Sequence, residues 1–449
     1  MKFPLSTKWR GVPNEVRRGE VDLKGKKITV FGLGRSGLSV AKKLIALGAD
    51  VRGTDANPAL DAQVFAGLGV PVELGGHTSQ IIEGDDLIVV SPGIHLDIPV
   101  LEEAREKSIP IISEIELASR ILSKPIIAVT GTNGKTTTTT LIGEMLKAGG
   151  KRIAVAGNIG LPLVDVDDST LDYIVAEISS YQLESIVNFK PYISLILNVQ
   201  PDHLERHHTM QEYIDQKARI FLNQTGDDYL IYNQDDPAVA EMVKKAKARL
   251  VPFSKTNAGI ITLAPGMIKI PGRHNLENAL AAAQAAYLCG VNKETVSEVL
   301  RTFPGVPHRI EYVTSVAGVE FYNDSKATNP DSTLVAIETF KGRGMVLILG
   351  GRDKGVGLEV LAQKVKENVK AVVLLGEASP VLEAALKAVV YEASYKAGFS
   401  LPDAVRNSFS LTEHGDIVLF SPACASFDMF NNYEERGTSF KELCQNLKA

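Results

Sequence analysis

Nine residues carry the first chemistry of this chain: Ala128-Val129-Thr130-Gly131-Thr132-Asn133-Gly134-Lys135-Thr136. A lysine and a threonine directly after a glycine-rich turn suit a nucleoside triphosphate. Lys135 would reach the β- and γ-phosphates, and the Thr136 hydroxyl would ligate Mg²⁺. The common spacing has glycine where this chain has Val129, so the run needs support from its setting. Ile126 to Val129 read as a buried strand, and Leu141, Ile142, Met145 and Leu146 mark one face of a following helix. The turn therefore opens a helix, where free N–H groups and the helix dipole favour phosphate.

A second glycine turn, Gly32-x-Gly34-x-x-Gly37, follows a strand and precedes a helix through Leu44 and Leu47. Asp55 closes the next strand, near the ~20-residue offset of an acid that binds a ribose. The glycines let backbone approach a pyrophosphate, and nothing in the run separates NAD(P) or FAD from another diphosphate. Asn158, Glu177, Asp202 and His203 sit where strands should end. Each alone reads as a turn or surface residue. Together, three successive strand ends offer Mg²⁺-type ligands beside the phosphate turn. In a helix expected from Glu212 to Leu222, Lys217 shares a stripe with Tyr213, Ile214, Ile220 and Phe221, so it points inward, where an ammonium is costly unless paired or modified. Cys424 has only His414 as a local base and no third group to orient it, so it reads as a small loop hydrophobe.

The elements that must position these groups follow an α/β pattern. Strands at 27–33, 50–54, 86–90, 152–156, 172–177, 192–198, 319–323, 345–349, 371–375 and 417–420 alternate with helical stretches. The expected fold is α/β in three domains. A Rossmann-like N-terminal domain covers 1–115, and a central P-loop ATPase-type parallel sheet covers 116–305. A Rossmann-like C-terminal domain covers 306–449, entered through the breaker-rich Pro304-Gly305-Val306-Pro307. At 449 residues, 45% hydrophobic and 22% charged, the chain has the composition of a soluble globular protein. A net charge of −5 gives no reason to expect nucleic acid. No apolar run approaches the ~20 residues of a membrane span. Met1 to Glu20 carries cations without an apolar stretch, so no signal peptide is expected. Three cysteines suit neither a disulfide framework nor a metal site. The expectation is a cytoplasmic, monomeric enzyme with no nucleic-acid or membrane partner.

Several runs then add up. Gly131-Thr132-Asn133-Gly134-Lys135-Thr136, Gly157-Asn158-Ile159-Gly160, Glu177-Ile178-Ser179-Ser180-Tyr181-Gln182 and Asp202-His203-Leu204 resemble the Mur ligases, as do Gly272-x-His274-Asn275-x-x-Asn278 and Pro307-His308-Arg309. Asn323-Asp324-Ser325-Lys326-Ala327-Thr328-Asn329, Gly350-Gly351-Arg352-Asp353-Lys354-Gly355 and Ser421-Pro422-Ala423-Cys424-Ala425-Ser426-Phe427-Asp428 look like the branch that adds D-glutamate. The likeness runs in order over nearly the whole chain. It implies an ADP-forming acid–amino-acid ligase of peptidoglycan precursor synthesis, and so of cell-wall growth, shape and division. Its substrates would be UDP-N-acetylmuramoyl-L-alanine and D-glutamate, joined through an acyl phosphate. The alternative within the family is a sister ligase adding another amino acid, or L-glutamate; the Asp-Asn-Pro-Arg run usual in the diaminopimelate-adding ligase is absent. A nicotinamide-dependent oxidoreductase would leave the phosphate turn and Lys217 unexplained. A regulatory ATP-binding protein would turn over ATP independently of glutamate.

The resemblance also distributes the site. Gly32, Gly34, Arg35, Ser36, Gly37, Asp55, Ser91 and Gly93 would hold the UDP moiety, with Asn158 and His203 at the acceptor carboxylate. Gly131, Thr132, Asn133, Gly134, Lys135, Thr136 and Thr137 would hold the ATP phosphates, and Asn275, His308, Arg309 and Asp324 the adenosine. Lys326, Thr328, Lys354, Ser426, Phe427 and Tyr433 would bind glutamate. Two Mg²⁺ ions would be held by Thr136, Glu177, His203 and Lys217, the last carbamylated. Lys135, Glu177, His203 and Lys217 would carry catalysis, assembled by domain closure. Ala56-Asn57 replace the family's frequent Thr-Arg, and Phe427 and Tyr433 its frequent Leu and Phe.

Overall fold

The computed structural model describes residues 22–255, 268, 270, 272–353, 355 and 357–447, and of residues 204, 205 and 273 the backbone alone. Met1 to Glu20 and Lys354 lie outside the described residues. The chain falls into two compact units. One holds the described residues up to 255 with 276–301; the other holds those from 268 to 275 with 302–447.

The first unit carries two all-parallel sheets. β1 (Lys27–Phe31), β2 (Asp50–Asp55), β3 (Val72–Leu74), β4 (Leu87–Val90) and β5 (Ile111–Ser113) form the first, in the order β3-β2-β1-β4-β5. β6 (Ile126–Thr130), β7 (Ile153–Gly157), β8 (Tyr173–Glu177), β9 (Ile193–Ile196), β10 (Tyr229–Asn233) and β11 (Arg249–Phe253) form the second, in the order β11-β10-β9-β6-β8-β7. Central strands such as β6 are buried along their whole length, which is why they read as unbroken apolar runs rather than alternating ones. In the first sheet the chain order reverses between β1 and β4, and in the second it reverses around β6. Ligands in open α/β sheets bind at such switch points, beyond the strands' carboxyl ends. Both glycine turns leave from them.

One contiguous apolar cluster serves both sheets, with Ile28 and Val30 from the first, Leu44 from the helix that follows β1, and Ala128, Ile174 and Ile196 from the second. Polar pins fasten helices to the turns beside them. Ser39 Oγ donates to Asp165 Oδ2 at 2.6 Å, and the fully buried Glu116 carboxylate accepts the N–H groups of Val187, Asn188 and Phe189.

The second unit holds the third sheet: β12 (Glu311–Val316), β13 (Val319–Asn323), β14 (Met345–Gly350), β15 (Ala371–Leu375), β16 (Ser394–Lys396) and β17 (Ile417–Ala423), in the order β12-β13-β17-β14-β15-β16. Only β12 runs antiparallel, turning into β13 through Ala317-Gly318, both at positive φ as a tight hairpin turn requires. Separate apolar clusters cover the two faces.

The helix expected from Glu212 to Leu222 is instead Met210–Ala218, capped by the Thr209 side chain and followed by a tighter turn at Arg219–Phe221. Among the described residues, no helix is long and apolar enough to cross a membrane.

Candidate active site

Gly134 ends the phosphate turn at φ 84°, and the helix Lys135–Ala148 begins at the next residue. A Cβ on Gly134 would lie 2.1 Å from Asn278 Oδ1, so that amide closes one wall of the turn. A second wall comes from the segment after β9. Asn133 N–H donates to Asn198 Oδ1 at 2.8 Å, and Asn198 Nδ2 returns a bond to Asn133 O at 3.1 Å. Gln200 N–H donates to Thr132 Oγ1 at 3.0 Å, and its side chain accepts from Asn133 Nδ2 at 3.1 Å. Asp236 anchors this segment by accepting the Val199 N–H at 2.8 Å. Lys135 Nζ donates to the carbonyls of Gly131 and Thr132, each at 2.8 Å. The ammonium thus laces its own turn, and a phosphate would take over those bonds.

β8 pairs with β6 so that Glu177 stands beside Val129. Glu177 is 2% exposed; its Oε1 accepts from Asn158 Nδ2 at 2.8 Å, while Oε2 is buried without a hydrogen-bond partner. A buried carboxylate oxygen lacking a donor is a place for a cation. Thr136, 6% exposed, and Thr137 lie in the adjoining first turn. The described residues hold no group of three His, Cys, Asp or Glu able to cage a metal alone.

Lys217 is 1% exposed, with Nζ 4.4 Å from the centre of the Tyr213 ring, and Tyr213 OH lies 3.2 Å from Thr132 Oγ1. Burial, and then the nearby Lys135, hold its pKa well below the ordinary lysine value, against the pull of Asp202. Among the described residues no carboxylate lies within ion-pair distance of it. The result is an amine biased to its neutral, nucleophilic form. His203 sits at φ 55° with Nε2 3.4 Å from Asp202 Oδ2 and its ring 4.9 Å from that of Tyr181.

At the first sheet, a Cβ on Gly37 would lie 1.9 Å from Gly32 O, so only glycine lets the turn close. Gly34 precedes the helix Arg35–Ala46, with Ser36 in its first turn. Ser91 Oγ donates to Gly32 O at 2.7 Å, and Gly93 lies exposed in the same loop. Asp55 spends both oxygens on backbone, accepting from Leu33 N–H at 2.6 Å and Asn57 N–H at 2.8 Å. Arg35 reaches the Gly160 carbonyl, beside Asn158.

In the second unit, Arg436 is 1% exposed and donates to Ser325 Oγ at 3.0 Å, Ser325 O at 2.9 Å, and the carbonyls of Cys424 and Ala425 at 3.2 Å. It ties the Lys326-Ala327-Thr328 turn to Ser426, and burial pulls its pKa down to about 10. Lys326 Nζ lies 5.7 Å from the centre of the Tyr433 ring, and Ser325 Oγ bonds Tyr433 O at 2.9 Å. Phe427 is 62% exposed. Asp324 is buried, accepting from Ser421 Oγ at 2.7 Å and the Ile310 N–H at 3.2 Å, and burial raises its pKa to about 7. Asn323 Oδ1 accepts the Ser325 N–H, so its amide nitrogen faces His308 Nδ1 at 3.0 Å. His308 Nδ1 is then an acceptor and the neutral ring carries its proton on Nε2. Half-buried Arg309 follows it. Asn275 is buried beside His274, whose pKa burial and then Arg309 lower to about 4.

The arrangement can hold a triphosphate and a divalent cation at the second sheet and a diphosphate at the first. Sequence reasoning gave no role to Asn278, although it stood in the quoted run, nor to Asn198 and Gln200, whose signal is an amide at a strand's carboxyl end. Arg206 and Arg436 gave no local signal.

Residues 26–113 match the Mur ligase MurD-like N-terminal domain, 129–286 the Mur ligase middle domain and 308–424 the Mur ligase glutamate ligase domain. The UDP-N-acetylmuramoylalanine–D-glutamate ligase of Caldanaerobacter subterraneus subsp. tengcongensis is 42% identical over 95% of this chain and 100% of its own length. The ligase of the same name from Geotalea uraniireducens is 44% identical over 95% and 99%. Among solved structures, UDP-N-acetylmuramate–alanine ligase from Thermotoga maritima shares the fold, with a TM-score of 0.57, 22% identity, and 93% of this chain and 99% of that one covered.

Proposed function

The chain belongs to the Mur ligase family, and from that premise we propose that it joins D-glutamate to UDP-N-acetylmuramoyl-L-alanine in peptidoglycan precursor synthesis, at the expense of ATP. The observation that carries this reading is end-to-end similarity to relatives named for that activity. The orphaned Glu177 oxygen beside the phosphate turn supports it independently.

A carboxylate is a poor electrophile. Its oxygen attacks the γ-phosphorus, ADP leaves, and an acyl phosphate forms. The glutamate amine then attacks the acyl carbon, and phosphate and a proton depart as the amide forms. Lys135 exchanges the Gly131 and Thr132 carbonyls for β- and γ-phosphate oxygens, holding them in line. Asn158 and His203 orient the acceptor carboxylate, and cationic groups near the developing oxyanion lower the second barrier. Mg²⁺, when bound, neutralises phosphate charge; Thr136, Glu177, His203 and Lys217 are the residues that would hold two such ions. Addition of CO₂ to the Lys217 amine, with loss of a proton, would give a carbamate whose oxygens could ligate a cation and would remove the cost of a buried ammonium.

Gly32, Gly34, Arg35, Ser36, Gly37, Ser91 and Gly93 take the UDP moiety, with Asp55 shaping that turn. Asn275, His308, Arg309 and Asp324 serve the adenosine. Lys326, Thr328, Lys354, Ser426, Phe427 and Tyr433 receive glutamate, and the enzyme works as a cytoplasmic monomer of three domains.

The test is ADP release with Mg-ATP, the nucleotide sugar, and either D- or L-glutamate. Turnover is expected only with the sugar and the D-enantiomer; dependence on another amino acid would transfer the chain to a sister activity. Lys217→Ala is expected to lose on the order of 10²-fold in kcat. Near-normal turnover of that variant at saturating Mg²⁺ would sink the role given to Lys217.

A further inference from the structure

We propose that Arg206 is a positioning residue that couples the loop beside the UDP turn to the histidine at the acceptor carboxylate. The inference rests on the function proposed above and deepens it. Arg206 stands three residues beyond His203, in the short helix Leu204–His207, with its side chain 8% exposed. Nε donates to Glu184 Oε1 at 2.9 Å, and one terminal nitrogen donates both to Glu184 Oε2 and to the Ile94 carbonyl, each at 2.6 Å. The guanidinium carbon lies 4.6 Å from the centre of the Tyr181 ring, which in turn contacts the His203 ring. One planar cation thus touches the loop after β4, the turn after the helix Ser180–Leu183, and the Tyr181 ring that His203 also contacts.

The Ile94 contact gives this geometry its meaning. Ile94 N–H bonds Ser91 O at 3.0 Å, and Ser91 Oγ bonds Gly32 O. A Cβ on Gly32 would meet Ser91 Cβ at 2.9 Å and Ile94 Cγ1 at 3.0 Å, so the glycine turn lies against Ser91 and Ile94 with no room for a side chain between them. Any shift of that turn on taking up a diphosphate is passed to Ile94, and from its carbonyl to Arg206. Because Glu184 grips the guanidinium at two points, the fork is rigid and cannot absorb the shift by rotating. Stability alone is a poor reason for such a buried pair, since desolvation offsets much of its attraction. Binding of the nucleotide sugar therefore sets Tyr181 and His203 before phosphoryl transfer. A lysine could keep the charge but not span both partners.

The experiment is steady-state kinetics of Arg206→Gln, Arg206→Lys and Glu184→Gln in the full chain, with each variant's thermal midpoint. Arg206→Gln is expected to raise KM for the nucleotide sugar about tenfold and lower kcat about tenfold, because small misplacements of reacting groups are costly. KM for ATP should stay within about twofold. Arg206→Lys should fall between, and Glu184→Gln should move the same constants in the same direction. A lowered melting midpoint with unchanged constants overturns the proposal, as does a parallel rise in KM for ATP. If the wild type releases no ADP, the proposed function fails instead. The coupling is then read by calorimetry with UDP alone, where binding to Arg206→Gln as tight as to the wild type overturns it too.

Discussion

Among the described residues, Glu114 opens the helix Glu114–Ile121 with no cation paired to it. Its carboxylate, 2% exposed, accepts the Val164 N–H at 2.7 Å and lies near Asp165. Burial raises its pKa from 4.5 to about 7. A raised acid pKa contributes stability that is present below the unfolded value and lost as pH climbs through the folded one. Glu114→Gln keeps the acceptor and never ionises. It should match the wild type below pH 4.5, gain across the window from 4.5 to about 7, and above that stay more stable by roughly 2–4 kcal/mol. Urea unfolding at pH 4.5 and pH 8 checks this. Single residues were legible when their signal was local. Lys217 was placed inside by the spacing of Tyr213, Ile214, Ile220 and Phe221, and it is buried. Arg436 and Arg206 were not, because Ser325 lies 111 positions from the one and Ile94 112 from the other.

The phosphate turn is shaped by the segment after β9 as much as by its own glycines. Asn198 makes two side-chain bonds to Asn133, and Gln200 and Asp236 hold that segment in place. Asn198→Ala should loosen the turn without touching chemistry. KM for ATP is expected to rise several-fold, kcat to change less, and stability to fall by about 1–2 kcal/mol. An unchanged KM for ATP would show that the glycines alone set the loop. Among elements, the central strands β1, β6, β8, β9, β14, β15 and β17 were readable as apolar, β-branched runs. Six strands were left unread: β3, β5 and β16 are three-residue edges, β11 carries Arg249 and Pro252, β12 is a partly exposed antiparallel edge with no buried residue, and only β10, the apolar Tyr229–Asn233, had a signal that could have been read. The helix expected to reach Leu222 stops at Ala218 because its last turn tightens, which no composition signal announces.

Three sheets but two compact units describe the molecule. The first and second sheets share one large apolar cluster, the first keeps a smaller one besides, and the third has clusters of its own. Their unfolding should follow cores rather than sheets. Calorimetry of the full chain is expected to resolve two transitions, not three, with the larger enthalpy belonging to the first unit because enthalpy scales with residue number. A separate transition for residues of the first sheet, followed by hydrogen exchange, would contradict this. The α/β character of the three sheets was legible from the repeated strand–helix pattern. The shared core was not, since it depends on which loop faces meet. The shared cluster has a consequence for gene history. A recombination crossover between Ser113 and Ile126 would splice halves whose buried faces never fitted each other. One near Thr302 leaves each cluster of the third sheet wholly on its own side. Exchange of segments among related genes should therefore leave its scars at the second place and spare the first.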